Sequence, residues 1–487
     1  MRKELEVGLD LHKSGDFAKA EAAYRKVLRY EPDHAEALHF LGLLSYQNGK
    51  NLEAIRYIEK AISLNPTSAI MANNLGLAFQ AIGNVDAACS SYRQAIESNS
   101  RLPSAYNNLA NALREIGNFK EAIANYRVAI QLSPNYAKAY NNLGVTLQAI
   151  GKEHKAIENF RNAISIDVCY AEPYFNLGSV LLGQDSFEEA VLNFSEAIKI
   201  NPNYIQAHVN LGVAFQKLSR FDDAMSSFEF ANTKTSKAKI LECLFSKREY
   251  DEFYKRLADF TDVDSTNISL AAISAFASSQ LKKTDPYPFC PDPLDFLKII
   301  SLENRVPDID CFMNEVIKES MARHMVWEPT GISTRSGFQT KDDLFVNPGS
   351  AIEKLGQIIV SEIKTYFSER INFDNLFVGS WPRGLEIKGW FVRLLKSGFQ
   401  SSHIHPDGWL SGVVYLAVPN SVIEGEGAIE FDTNGSFEPA FDGCYNRLRH
   451  VPKKGELILF PSSLFHKTIP ITVDQERLSI AFDLVPN

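Results

Sequence analysis

The sequence predicts a multidomain protein: an all-α superhelix of repeated helix pairs, followed by a double-stranded β-helix (jelly-roll) domain with flanking helices. Three observations predict it. A 34-residue period runs through the first half of the chain, short segments rich in β-branched and aromatic residues crowd the last quarter, and four prolines fall within the nine residues Asp285–Pro293 between them. At 487 residues the chain is too long for one core, and the expected division is 1–236 for the repeats, 237–284 for atypical capping helices and a linker, and 285–487 for the jelly-roll domain.

The repeats come first. Alanine recurs at Ala20, Ala54, Ala88, Ala122, Ala156, Ala190 and Ala224, in steps of 34 residues. Four residues after each stands a large side chain, Tyr24, Ile58, Tyr92, Tyr126, Phe160, Phe194 and Phe228, and three later a second small one in all units but the first. Upstream lies Leu-Gly or a near equivalent, from Val7-Gly8 and Leu41-Gly42 to Leu211-Gly212. Gly15, Gly49, Gly83, Gly117 and Gly151 occupy the predicted turn between paired helices, where glycine adopts a left-handed backbone at little cost; Asp185 and Ser219 replace it in the last two units. Seven units with this pattern resemble tetratricopeptide repeats over residues 1–236, which implies stacked antiparallel helix pairs with a concave face.

Asparagine repeats too, at Asn74, Asn108, Asn142, Asn176 and Asn210. By resemblance to the asparagine ladder of the O-linked N-acetylglucosamine transferase superhelix, these positions look into the concave face and bind the backbone of an extended peptide. An amide offers donor and acceptor alike, so it pairs with peptide groups of any sequence. The other reading is that they bond neighbouring repeats to one another. The first two units, with Glu6 and Phe40 there, lack the ladder.

Beyond the repeats, 238–260 reads as two amphipathic helices around Lys247-Arg248-Glu249, the atypical unit that ends a solenoid, and 265–281 as a further helix. Helical spacing returns at 308–324 and 350–370. Strands are expected at 389–395, 412–418, 427–431, 456–460 and 478–482.

Within that last stretch, His405 and Asp407 precede one strand, His466 follows another, and Arg477 opens the next. Two imidazoles and one carboxylate on one side of a metal leave coordination positions open, which suits non-haem Fe(II). An arginine nearby grips the far carboxylate of a dicarboxylic cosubstrate with its two-pronged guanidinium. In extended chain, residues two apart share a face, so His405 and Asp407 are expected to reach one metal, and Arg477 and Ser479 to share another face. His403 alternates with His405 as well, so a His-x-His reading with His466 as third imidazole stands beside the first. Tyr415 projects from the strand after the ligands, as a partner of Arg477 for the cosubstrate or as core packing.

The segments Ser402–Tyr415, Gly455–Pro461, His466 and Glu476–Ser479 resemble the 2-oxoglutarate/Fe(II)-dependent oxygenase family often found fused to tetratricopeptide repeats. That resemblance implies Fe(II) on His405, Asp407 and His466, 2-oxoglutarate meeting Arg477, with Tyr415, Ser479 and His403 close to the cosubstrate, and O2 consumed in hydroxylating a C–H bond with release of succinate and carbon dioxide. Joined to a peptide-binding groove, it implies a dioxygenase acting on a protein or peptide side chain. A non-catalytic interaction scaffold, and a small-molecule hydroxylase whose repeats recruit partners, are the alternatives.

Bulk composition narrows the class. With 45% apolar and 22% charged residues and a formal charge of −9, the chain has the make-up of a globular protein and lacks the basic excess of a nucleic-acid binder. Six cysteines (Cys89, Cys169, Cys243, Cys290, Cys311, Cys444) form no CxxC pair, and no stretch approaches a membrane span, so a cytoplasmic protein with neither nucleic-acid nor membrane partners is expected. Nothing in the sequence fixes the oligomeric state.

Overall fold

The computed structural model describes residues 2–486 apart from 288, 291, 324, 328–332, 385, 421–422, 424 and 436–446, so Cys444 and the end of the expected helix at His324 lie outside the described residues. Two compact units make up the chain, Met1–Leu177 and Gly178–Asn487.

The first unit is the repeat array. Helix pairs begin with Arg2–Lys13 and Phe17–Tyr30, then Ala35–Gln47 and Asn51–Leu64, and the same pairing returns every 34 residues to Ala137–Ala149 and Glu153–Ile166. The period exists because one packing contact repeats. Tyr24, Ile58, Tyr92, Tyr126 and Phe160 are fully buried, as are Ala54, Ala88, Ala122 and Ala156. Each large side chain fills the space over the small residue of the first helix. At Gly144 a Cβ would stand 2.6 Å from Cε1 of Phe160, inside van der Waals contact. Only a residue without a Cβ lets the two helices close on that ring.

The second unit continues the pattern with Phe187–Ile200, Ile205–Lys217 and Phe221–Ala231, then adds Lys234–Ser246, Tyr250–Val263 and Ile268–Leu281. Asp185 and Ser219 keep the left-handed turn that glycine supplies elsewhere, at φ 57° and 59°, and Arg248 repeats it at 63° between the two helices of the terminal pair. The helix–turn–helix geometry thus outlasts its sequence signature. One hydrophobic core runs from Ala224 and Phe228 through Phe276 and Tyr287 to Leu484, so the last repeats, the capping helices and the β-rich part form one body. The division between the units accordingly falls at 177/178, inside the repeats.

The C-terminal part is β-rich and antiparallel. Its strands are β1 (Lys298–Ser301), β2 (Met325–Trp327), β3 (Thr334–Thr340), β4 (Glu386–Gln400), β5 (Leu410–Ala417), β6 (Ile429–Asp432), β7 (Arg447–His450), β8 (Glu456–Pro461), β9 (Phe465–Thr468) and β10 (Arg477–Val485). Seven form one sheet in the order β1-β8-β5-β10-β4-β3-β2, and three form a second, β7-β6-β9. The large sheet is apolar on its outer face and over part of its inner face, which is why its strands read as dense apolar runs. Leu410, Val414, Leu457, Leu459, Ile480, Phe482 and Leu484 join Ile352, Leu355, Ile359 and Ile363 of the flanking helix Ser350–Ser368 on the outer face. Val413, Tyr415, Ile458 and Phe460 face inward onto Ile429 and Phe431 of the small sheet. The two sheets therefore enclose a second core, and the cavity described below opens into it.

Overfilling the repeat contact tests this packing. Gly144→Val should cost about 1–3 kcal/mol, because the added branches meet the Phe160 ring. Chemical denaturation of the variant beside the wild type measures it; equal stability contradicts the account.

Candidate active site

Three histidines meet between the sheets. Residues 403–405 run extended beside the β8–β9 turn: His403 and His466 exchange backbone hydrogen bonds at 3.1 Å each, and the amide of His405 donates to the carbonyl of Ser462 at 3.0 Å. His403 thereby extends the small sheet past β9. Alternation then puts His403 and His405 on one face with His466 opposite. One ring nitrogen from each lies within 4.8 Å of the other two, and the ring centroids are 4.2, 5.0 and 5.2 Å apart.

Hydrogen bonds fix how these rings present themselves. Nδ1 of His405 lies 2.5 Å from a carboxylate oxygen of Asp483, Nδ1 of His403 lies 2.7 Å from the carbonyl of Ser401, and Nδ1 of His466 lies 3.2 Å from the carbonyl of Leu464. The two carbonyls can only accept and the carboxylate oxygen accepts here, so each Nδ1 carries a proton and directs its Nε2 away from these partners. Ser333 Oγ donates to Nε2 of His403 at 3.2 Å; a hydroxyl rotates away readily. Burial holds the imidazoles of His403 and His466 neutral. His403 is pushed down to about 4 and His466 well below its ordinary value, with neighbouring imidazoles adding to the effect. Neutral imidazoles with open Nε2 atoms are the form in which histidine binds a metal.

Asp407, expected as the third ligand, is exposed and does not belong to this group, although its side chain borders the cavity mouth. The amide of Gly408 donates to the carbonyl of His405 at 3.1 Å, closing a β-turn with Pro406 and Asp407 at its centre. Proline favours that turn position. The extended geometry that aligns residues two apart therefore holds for His403 and His405 and ends before Asp407.

Around the histidines lies a cavity of about 340 Å³ lined by Trp390, Gln339, Gln400, Tyr415, Arg477 and Asp483, among others. Arg477 is 3% exposed. Its Nη1 donates to the carbonyl of Gly427 and its Nη2 to the hydroxyl of Tyr415, both at 2.9 Å, while its Nε–H has no partner. No carboxylate pairs with this guanidinium among the described residues. A buried cation without a counter-ion, its Nε–H unpartnered, favours an anion beside it. Tyr415 is fully buried, its hydroxyl held un-ionised by that burial. Ser479 follows Arg477 on the same face but is not part of the lining. Arg393 faces away into a two-pronged ion pair with Glu476.

Sequence reasoning missed Asp483. It is buried, accepts from His405 and, at 2.7 Å, from Ser411 Oγ, which in turn contacts Ser462 at 2.8 Å. The period-2 row Arg477, Ser479, Ala481, Asp483 was the available signal.

The repeated asparagines form a ladder between repeats. Asn108 donates to Asn73 at 3.0 Å, Asn142 to Asn107 at 3.1 Å and Asn176 to Asn141 at 2.9 Å, each 35 residues back, and Asn74 does the same to His39 at 2.9 Å. In the second unit Asn210 reaches Ser179 at 3.5 Å. Asn73, Asn107 and Asn141 are buried, whereas Asn74, Asn108, Asn142, Asn176 and Asn210 are half-buried.

Comparison with known proteins finds matches to two kinds of family model. Residues 388–483 match the family model described as "Putative 2OG-Fe(II) oxygenase". Tetratricopeptide-repeat models match 6–69, 69–101 and 137–167, and 110–151 and 183–219. No curated protein matches the chain. Among solved structures, MamA is 30% identical over 33% of this chain and 94% of its own, with a TM-score of 0.31. PilF of Pseudomonas aeruginosa is 22% identical over 40% and 89%, at 0.38, and YrrB, described as a TPR protein with an unusual peptide-binding site, is 22% identical over 36% and 90%, at 0.31. Among the described residues, no helix is long and apolar enough to cross a membrane.

Proposed function

Starting from a chain that carries tetratricopeptide repeats and a domain of the 2OG-Fe(II) oxygenase family, we infer that this protein is an Fe(II)- and 2-oxoglutarate-dependent dioxygenase that hydroxylates a side chain of a protein or peptide held by its repeats. The observation that carries the reading is Arg477: a buried guanidinium whose Nε–H has no partner, in the same cavity as three clustered histidines that each turn a ring nitrogen toward the others. The donor set fits both groups. His405, His466 and His403 would hold the metal, and Arg477 with Tyr415 would hold the far carboxylate of the cosubstrate. A jelly roll is the natural name for two facing antiparallel sheets that enclose such a site.

Bound iron and 2-oxoglutarate supply the activation of O2 for insertion into a C–H bond, with succinate and carbon dioxide as by-products. The chain's own residues bind and orient. Arg477 would neutralise a carboxylate in a water-poor cavity, where a charge-assisted hydrogen bond is strong. The acceptors at Ser401, Leu464 and Asp483 hold each imidazole in the tautomer that presents Nε2. Trp390, whose ring lies 5.5 Å from that of His405, forms an apolar wall that keeps water from the reacting face.

The substrate class rests on the repeats. Each half-buried ladder amide commits one N–H to the preceding repeat, and the carbonyls of Asn74, Asn108 and Asn210 also accept from Asn73, Asn107 and Gln206, which leaves a second N–H and at least one carbonyl lone pair for a peptide backbone. Bonding between repeats and capture of a peptide are thus compatible.

The enzyme reading is tested without a substrate. Under nitrogen, Fe(II) and 2-oxoglutarate added to the metal-free protein should raise a visible metal-to-ligand charge-transfer band. His466→Ala should abolish it, Arg477→Ala should require at least tenfold more 2-oxoglutarate, and Asp407→Ala should leave it unchanged. A folded wild type without the band overturns the reading. The groove is tested separately with an array of unmodified peptides probed with full-length protein. Asn108, Asn142 and Asn176 changed together to Ala should lose the peptides that the wild type retains while keeping the charge-transfer band; retention by the triple variant contradicts peptide capture.

A further inference from the structure

A carboxylate, Asp483, is buried behind His405. Asp483 accepts from His405 Nδ1 and Ser411 Oγ, and no lysine or arginine pairs with it among the described residues. It is closely confined. A Cβ at Gly408 would stand 2.9 Å from the Asp483 carboxyl carbon and 2.7 Å from Ser462 Oγ, so the turn that follows His405 packs directly on this network. An ionised carboxylate this deep needs a positive charge nearby or a full set of donors. The donors present are one hydroxyl and one imidazole N–H, and the far nitrogen of that imidazole opens into the cavity.

We propose that Asp483 is the positioning carboxylate of a three-histidine metal site: it fixes the tautomer and direction of His405 and supplies, one residue behind the ligands, the negative charge that Asp407 does not bring to the metal. The proposal rests on the metal-site reading above. The side chain that joins Asp483 to the cavity is itself a ligand, so its charge makes the His405 Nε2 lone pair a stronger donor. Ser411 and Ser462 complete the arrangement: Ser411 donates to the same carboxylate oxygen that meets His405, and the Ser462 carbonyl holds the His405 amide. The bond from Ser411 on β5 thus helps fix where the carboxylate stands, the bond to Ser462 holds the His405 backbone, and the carboxylate fixes the ring. In a site of three imidazole ligands this is the carboxylate through which the protein itself balances a bound dication.

The test uses Co(II), whose visible d–d bands report affinity and ligand field without turnover. Asp483→Asn keeps an acceptor for His405 Nδ1–H and removes the charge; Asp483→Ala removes both. Wild-type protein should bind Co(II) with resolved bands, Asp483→Asn about tenfold more weakly with shifted bands, and Asp483→Ala about 10- to 100-fold more weakly. Ser411→Ala, which leaves His405 and Asp483 in place, should weaken binding a fewfold and serves if an Asp483 variant fails to fold. Wild type that binds no Co(II) removes the metal site and this proposal with it. Wild type that binds while Asp483→Asn and Ser411→Ala match it in affinity and spectrum overturns the role of Asp483 and leaves the metal site standing.

Discussion

The site depends on the two faces of one strand. Outward from β10 point Leu478, Ile480, Phe482 and Leu484, all in the large core; inward stand Arg477, Ser479, Ala481 and Asp483. A shift of one residue in register would drive the charges into the apolar layer and turn the leucines into the cavity, so the core that stabilises the sheet also fixes where the charges stand. Those charges do not satisfy one another. Six residues along a strand is about 20 Å, and at an effective dielectric of about 20 their attraction is below about 1 kcal/mol. Arg477 lacks an anion and Asp483 lacks a cation, and each opens on the same cavity, directly or through His405. The proposed dicarboxylate at one end and divalent metal at the other would answer both.

The repeats obey a different constraint with the same economy. A large side chain needs a small residue opposite it, glycine at Gly144 beneath Phe160 and alanine at Ala110 in the unit of Tyr126, and that demand recurs every 34 residues. The inter-repeat asparagine ladder lies on the same first helices, so the array's cohesion and its proposed peptide contacts come from one set of side chains. Tenfold weaker binding corresponds to about 1.4 kcal/mol, the scale of one or two such hydrogen bonds.

Much of this was legible in the sequence, for identifiable reasons. The period of 34 residues announces itself because every copy meets the same packing demand. Strands β4, β5, β6, β8 and β10 were legible as dense apolar runs because they pack on one or both faces. Strands β1, β2, β3, β7 and β9 were not: Arg447–His450 and Thr334–Thr340 carry mixed polar side chains, and their pairing is decided by partners distant in sequence. His405, His466 and Arg477 were legible as a spacing pattern. The assignment of Asp407 beside His405 assumed extended chain through Pro406, where the backbone turns; His403, on the extended side, comes into the cluster instead. Asp483 escaped notice because a lone aspartate near the end of a strand looks like a surface residue until the register shows which face it occupies.

The central claim is that this cavity binds a divalent metal on three histidines and a dicarboxylate on Arg477. Anomalous diffraction from crystals grown anaerobically with Mn(II) and 2-oxoglutarate measures it directly. The account predicts one strong manganese peak bounded by Nε2 of His403, His405 and His466, with Asp407 away from it and a carboxylate against the guanidinium of Arg477. A peak that takes Asp407 as a ligand in place of His403, or no peak in the cavity at all, would contradict it.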